Sequence, residues 1–254
     1  MMKLPNKVVV AEVGPRDGLQ SFADMNNDNY YLIIPASGVG KRMKSGIPKQ
    51  YLHLNNGLTI IDQCLKTLLE VDKISGFIIA LSEKDTLFKS STYFNHTKKL
   101  ATVQGGKERL HSVLNALNSL EEVANPNDWV LVHDSVRPCV KKTDIEMLIT
   151  EVSHHQTGGI LAMGVVDTIK QVAIDGKVST IDRSKLYKAQ TPQMFRFGIL
   201  KDALETAVKL DKNITDESEA IENLGYSIKI VIGSSSNIKI TQENDIELAN
   251  HYLQ

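Results

Sequence analysis

Cysteine is scarce. The chain of 254 residues has two, Cys64 and Cys139, far apart and in no metal-ligand spacing. That excludes a disulfide scaffold and a zinc cluster, and both read as reduced packing residues, as suits a cytoplasmic protein. Net charge is lacking too: 29 Lys and Arg against 30 Asp and Glu leave −1. No bulk positive field would draw the chain to nucleic acid or an anionic membrane, so any anion site must be local. No apolar run approaches the roughly 20 residues of a membrane span. "VVVAEV", behind Lys3 and Lys7, is too short for a signal h-region. The expectation is a soluble, intracellular protein.

What is present is an ordinary globular composition, 42% hydrophobic and 23% charged, at a length that fits one large α/β domain or two small ones. Apolar runs of strand length recur at Tyr30 to Ile34, Phe77 to Leu81, Leu100 to Val103, Trp129 to Val132, Ile160 to Met163 and Ile228 to Val231. Segments with helical periodicity lie between them, at Thr59 to Glu70, Lys107 to Leu120, Thr143 to Ser153, Phe197 to Lys209 and Asp216 to Leu224. Continuous apolar strands alternating with helices predict an α/β fold, with a mostly parallel sheet covered on both faces. Val165 to Gln190 breaks the alternation: two strand-like pieces joined by Asp175-Gly176 read as a hairpin too polar for the sheet centre. It is expected to project as an arm, and a projecting hairpin usually finds a partner surface.

Two constellations carry chemistry. "LIIPASGVGKRMKSGIPKQY", Leu32 to Tyr51, puts Gly38-Val39-Gly40 at the carboxyl end of a strand, where open α/β sheets bind ligands. Met43 stands where a dinucleotide fingerprint needs its third glycine, and the Gly-Lys-Ser/Thr of a P-loop is missing. Lys41, Arg42 and Lys49 instead suit a ligand with several negative charges, such as a triphosphate, although a basic loop with solvated lysines would look the same. The second is "WVLVHDSVRP": Asp134, at a strand tip on the same sheet edge, could hold Mg²⁺ together with substrate phosphates. Arg137 could pair a second phosphate. His133, with no carboxylate or cysteine cluster, reads as a packing residue.

With "GGKERLHSV", "TIDRSKLYKAQTPQ", "ITDESEA" and "NIKIT" these motifs form a series. Over about residues 30 to 254 the chain resembles the cytidylyltransferase family of the non-mevalonate isoprenoid pathway, which joins CTP to 2-C-methyl-D-erythritol 4-phosphate. The resemblance implies a Rossmann-like sheet and a homodimer in which the hairpin arm embraces the partner. It implies Ala36, Ser37 and Gly38 around the nucleotide, with Gly106, Lys107 and Ser112 near cytosine and ribose. It gives Arg42 and Lys49 the triphosphate and Asp134 the metal, and it sets Lys239 among the catalytic cations. Arg137, Thr215 and Lys239 would hold the methylerythritol phosphate, while Thr168 and Arg183 on the arm would reach the other subunit's site. Lys107 stands where the family often has a small or acidic residue. A phosphate oxygen is already anionic at neutral pH, so no general base is required of such a site. Ribitol-5-phosphate cytidylyltransferase shares the glycine loop and the Asp-x-x-Arg-Pro motif, and Ile181-Asp182-Arg183 and Thr215-Asp216-Glu217 look more like the methylerythritol enzyme.

"EVGPRDGLQ", Glu12 to Gln20, resembles the first barrel strand of hydroxymethylglutaryl-CoA lyase, in which the arginine is catalytic and the aspartate binds a metal. Such a site needs a His-x-His pair. The histidines here, at 53, 96, 111, 133, 154, 155 and 251, include none. Arg16 and Asp17 are therefore assigned no chemistry, and residues 1 to 24 are expected to be a loosely attached extension ahead of a cytidylyltransferase domain at 25 to 254.

Overall fold

The computed structural model describes residues 28–38 and 46–254. The expected extension at 1 to 24 and the loop cations Lys41 and Arg42 lie outside the described residues. Nine strands are described: β1 (Tyr30–Ala36), β2 (Ile74–Leu81), β3 (Lys99–Gln104), β4 (Trp129–Val132), β5 (Gly158–Gly164), β6 (Ile169–Val172), β7 (Val178–Ile181), β8 (Tyr187–Arg196) and β9 (Lys229–Ile232). Six α-helices accompany them: α1 (Ile60–Leu69), α2 (Arg109–Asn118), α3 (Lys142–Val152), α4 (Phe197–Lys209), α5 (Glu217–Asn223) and α6 (Asn244–Tyr252).

Seven strands form one sheet in the order β3-β2-β1-β4-β8-β5-β9. All neighbouring pairs are parallel except those of β8, which runs antiparallel to both β4 and β5. The alternation of side chains along a strand divides the core in two. Leu32 and Ile34 point to a cluster with α1 and α3, while Tyr31 and Ile33 point to one with α2, α4 and α5. Both faces are covered, which is why the strands read as continuous apolar runs. Caps fix two helix starts: Thr59 Oγ1 accepts from Asp62 N at 3.2 Å, and Asp216 Oδ1 accepts from Glu219 N at 3.0 Å. Cys64 and Cys139 are free and buried, and burial pushes both thiols up, that of Cys139 to about 11. Both are packing residues. Among the described residues no helix is long and apolar enough to cross a membrane.

Two elements escaped the sequence reading. In β8, "YKAQTPQMFR" is polar and contains Pro192, which cannot donate to a ladder, yet the strand sits inside the sheet. The register explains how: Ile160 pairs Gln193 and Ala162 pairs Ala189, so three residues including Pro192 bulge opposite Leu161 alone. The other is α6, whose exposed face carries most of its residues. A small third cluster of Leu54, Ile60, Val136, Cys139, Ile240 and Ala249 ties it to the body.

The arm has a two-stranded sheet of its own, β6 antiparallel to β7. Gly176, at φ 82°, makes the turn an L-residue would resist. Gly176 N donates to Ala173 O at 2.9 Å, and Ala173 N to Lys177 O at 2.9 Å. The arm is expected to end at Gln190, but Tyr187 to Gln190 already belong to β8, and Tyr187 to Ala189 pair with β5.

Candidate active site

The strand order reverses direction at β1, whose neighbours are β2 on one side and β4 on the other. Crossovers leave this point in opposite directions, so a crevice opens beyond the carboxyl ends of β1 and β4. Into it come Ser37 and Gly38 after β1 and Asp134 and Ser135 after β4. The crevice has two lobes. One, of about 290 Å³, is lined by Ser37, Gly38, Lys49, Gly106, Lys107 and Val136 among others. The second, of about 180 Å³, is lined by Arg137, Gln190, Thr191, Gln193, Thr215 and Asp216 among others. Arg109, Asp134 and Lys239 line both.

Asp134 is the hub. Its side chain is 8% exposed; Oδ1 accepts from Arg109 Nε at 3.0 Å, and Oδ2 from Arg137 Nε at 3.3 Å and from Lys239 Nζ at 3.0 Å. Burial alone would push this carboxyl up, but Arg109, Lys239 and Arg137 together hold it well below the usual carboxylate range. The strand end that carries it is pinned from behind. Asp134 N donates to Thr191 Oγ1 at 3.1 Å, and Thr191 Oγ1 lies 3.0 Å from His133 Nδ1. His133 Nε2 is 3.1 Å from Arg137 O, an acceptor, which assigns the proton to Nε2 and lets Nδ1 accept from Thr191. Burial drives His133 down to about 4, so it stays neutral, the packing residue its lone position implied.

Lys239 projects from a segment anchored on either side. Asn237 Nδ2 donates to Thr191 O at 2.8 Å, Arg137 Nη1 donates to Asn237 O at 2.8 Å, and Ile240 N donates to Val136 O at 2.9 Å. Lys49 enters from a 3₁₀ turn (Lys49–Tyr51), and its Nζ donates to Ile240 O at 3.0 Å. The turn is fixed by Gln50 Nε2, which donates to Ala36 O at 2.8 Å.

Behind the first lobe the buried Ser112 joins two loops. Its Oγ is 2.8 Å from Ser37 Oγ, accepts from Gly106 N at 3.0 Å and reaches Glu108 O at 3.1 Å. A Cβ on Gly106 would stand 2.2 Å from His111 Cβ, so only glycine permits this approach. Ala36 is buried at the end of β1 and Lys107 is exposed at the rim. In the second lobe Thr215 is held at the start of α5, its N and Oγ1 donating to Glu219 Oε2 at 2.7 and 2.8 Å.

The structure therefore brings together Ser37, Gly38, Lys49, Gly106, Lys107, Ser112, Asp134, Arg137, Thr215 and Lys239. Thr168 and Arg183 do not join them. Both are exposed on the arm and line neither lobe, and Arg183 Nη1 donates to Val166 O within the arm itself. Arg42 lies outside the described residues. Sequence reasoning missed Arg109 and Glu217. Arg109 bridges two carboxylates, its Nη1 lying 2.5 Å from Glu217 Oε1. Both residues stand inside quoted motifs, Gly-Gly-x-x-Arg and Thr-Asp-Glu, but their pairing spans the chain and leaves no local signal.

Among the described residues no group of three or more His, Cys, Asp or Glu could hold a metal ion. A carboxylate offers about four lone-pair sites. Three on Asp134 are taken by Arg109, Arg137 and Lys239. The donor set fits a divalent ion that arrives with substrate phosphates and takes the remaining site, and does not fit one held in a cage of protein ligands.

The family model described as 2-C-methyl-D-erythritol 4-phosphate cytidylyltransferase matches residues 30–254. The chain is 57% identical over 231 residues to a protein of that name from Ruthia magnifica subsp. Calyptogena magnifica, which covers 89% of this chain and 97% of that protein. To one from Aliivibrio fischeri (strain MJ11) it is 45% identical over 223 residues, 87% of this chain and 92% of that one. The crystal structure of the Francisella tularensis protein of the same name superposes with a TM-score of 0.75 at 39% identity, over 89% of this chain and all of that one.

Proposed function

We propose that this chain, which belongs to the 2-C-methyl-D-erythritol 4-phosphate cytidylyltransferase family, transfers CMP from CTP to 2-C-methyl-D-erythritol 4-phosphate and releases pyrophosphate. The observation that carries the reading is a crevice with two lobes that share Arg109, Asp134 and Lys239. Joining two phosphates requires a place where two anions meet over shared cations, and this crevice offers one.

In the reaction an oxygen of the acceptor's phosphate forms a bond to the α-phosphorus of CTP. The bond from that phosphorus to the bridging oxygen breaks, and its electron pair leaves with pyrophosphate. The nucleophile needs no base. What the site must supply is relief of phosphate–phosphate repulsion and stabilisation of charge growing on the equatorial oxygens and the leaving group. Lys49 and Arg42 would clamp the triphosphate. Lys239 serves both lobes and would neutralise the α-phosphate as the acceptor arrives, while Arg137 and Thr215 would hold the acceptor. Ala36, Ser37, Gly38, Gly106, Lys107 and Ser112 would seat the nucleoside. Mg²⁺, or another divalent metal, would rest on Asp134 and the phosphates and supply further charge neutralisation. Asp134 also gathers Arg109, Arg137 and Lys239 before substrate arrives, so the electrostatic field is preorganised.

The reading extends to a homodimer. Val166, Val172, Ile174 and Val178 stand exposed on the arm, and Thr168 and Arg183 beside them are polar groups with no cleft of their own. An arm laid across a second copy would bury the first set and carry the second to the partner's acceptor lobe. Two buried, protonated thiols suit the reducing cytoplasm as the place of action.

The test is pyrophosphate release from CTP and Mg²⁺ with methylerythritol phosphate and ribitol 5-phosphate in parallel. Release with the first alone is expected. Release with ribitol 5-phosphate alone would keep the cleft and move the acceptor, and release with neither would overturn the reading.

A further inference from the structure

Glu217 poses a problem of cost. Its side chain is 1% exposed, it has one cation within reach, Arg109, and its Oε2 has no hydrogen-bond partner among the described residues. Burial raises its pKa, and the Arg109 contact opposes that only in part. A buried carboxylate held by one partner is weak evidence of a gain in stability, since an apolar residue of similar volume commonly does as well or better. Nor does Glu217 line either lobe of the crevice. It touches the site only through Arg109.

We infer that Glu217 is a positioning residue for the transfer reaction: by holding Arg109 Nη1 it keeps the guanidinium monodentate on Asp134, so that Asp134 Oδ2 stays open to Lys239 and Arg137. This rests on the cytidylyltransferase reading. Left alone, arginine and a carboxylate prefer a bidentate fork, two parallel N–H···O bonds. Arg109 does not do this here; only Nε reaches Asp134, at Oδ1, while Nη1 is drawn 2.5 Å from Glu217 Oε1 on the other side. The plane of the guanidinium is set by two carboxylates from different parts of the fold, Asp134 after β4 and Glu217 at the first position of α5. Glu217 is itself fixed: the preceding residue Asp216 caps α5 and accepts from Gln193 Nε2 at 2.9 Å, and Gln193 Oε1 accepts from Ser218 N at 3.0 Å. A guanidinium has five N–H donors. Two are spent on Asp134 and Glu217, which leaves the remainder of Arg109 to face a phosphate in the crevice it lines.

Without Glu217 the guanidinium would turn into the fork with Asp134 and compete with Lys239 for Oδ2. The chemistry would then suffer more than CTP binding, because the phosphate clamp at Lys49 is untouched. Glu217→Leu is expected to lower kcat roughly tenfold to hundredfold, the scale of a small misplacement of a catalytic group, with KM for CTP within about twofold. Glu217→Gln keeps an acceptor and its shape, and should fall between Leu and the parent. In the Arg109→Met background Glu217→Leu should cost nothing further, since two residues that act as one unit are not additive. Fully additive losses would overturn the inference, as would parent-like kcat in folded Glu217→Leu and Glu217→Gln proteins. A crystal structure of Glu217→Leu, or of Glu217→Gln if the first does not fold, tests it without turnover: Arg109 forked on Asp134 is expected, and Arg109 still monodentate overturns it. If the parent protein releases no pyrophosphate while the fork forms, the functional reading has failed and the positioning contact stands.

Discussion

The crevice and the arm are built on opposite terms. In the crevice nearly every polar group already has its partner: Asp134 has three cations, His133 and Thr191 are hydrogen-bonded, and Ser112 ties two loops together. The arm keeps its own ladder, but Val172, Ile174 and Val178 stand in water and Arg183 bonds only its own base. The contrast teaches that the two regions are completed by different things. The crevice is built of side chains held in place by one another, whereas the arm presents apolar side chains to solvent. Changes in the crevice should therefore appear in turnover and in pH dependence, and changes in the arm in assembly.

The largest expected effect is on turnover. Lys49→Ala should lose roughly 10²- to 10³-fold in kcat, about 3 to 4 kcal/mol, by analogy with a lost preorganised donor. Steady-state pyrophosphate release measures it, and near-parental turnover would remove Lys49 from the clamp.

Next comes pH. His133 titrates near 6.5 when unfolded and at about 4 in the fold, so between those values the unfolded chain binds more protons. Stability should be complete above about pH 6.5 and fall as pH drops toward 4, by roughly 2 to 3 kcal/mol. Asp134, held low, adds a loss only below the ordinary carboxylate range, and Glu217, pushed up, works in the opposite sense. Urea unfolding at a series of pH values should show this slope, and His133→Leu should flatten it. A slope that survives the substitution would place the titrating group elsewhere.

Smaller still is the effect on assembly. Val172→Asp should weaken self-association about tenfold to hundredfold, the range of one truncated anchor. Sedimentation would read the shift while the thermal midpoint of the body stays put. Mixing Arg183→Ala chains with Lys49→Ala chains sharpens the same point, since partial recovery in confirmed heterodimers requires an arm that serves the other copy's site. Gly176→Ala should cost least, about 1 kcal/mol confined to the hairpin, because alanine resists φ 82° although open space surrounds the position. Hydrogen exchange localised to β6 and β7 would measure it, and a global loss of stability would contradict the arm's independence.

How much of this was legible in the sequence follows from range. Trp129–Val132 and Phe197–Lys209 were read to the residue because an apolar run and a helical period are local signals. The parallel sheet followed from their alternation. β8 was not legible: its polar residues face the crevice and the loop after β9, with Gln190 Nε2 donating to Ser234 O and Gln193 to Asp216, so its polarity reports function and not exposure. α6 was lost for a plainer reason, since it rests on a small cluster. The glycine loop and Val-His-Asp-x-x-Arg-Pro were visible as chemistry, but that Asp134 gathers Arg109 and Lys239 from distant motifs is a fact of tertiary packing.

One strand joins the two regions. β8 leaves the arm at Tyr187, pairs β5 from Gly164 onward, passes Thr191 behind Asp134 and ends at Arg196, which stacks 3.7 Å over the Trp129 ring and reaches Asp28 at 2.6 Å. Because side chains alternate along a strand, removing a single residue between Tyr187 and Ala189 would exchange the faces of everything upstream against everything downstream. Length is therefore frozen along this stretch and free at the hairpin tip, so the arm can grow or shrink only at its far end, where no ruler is kept.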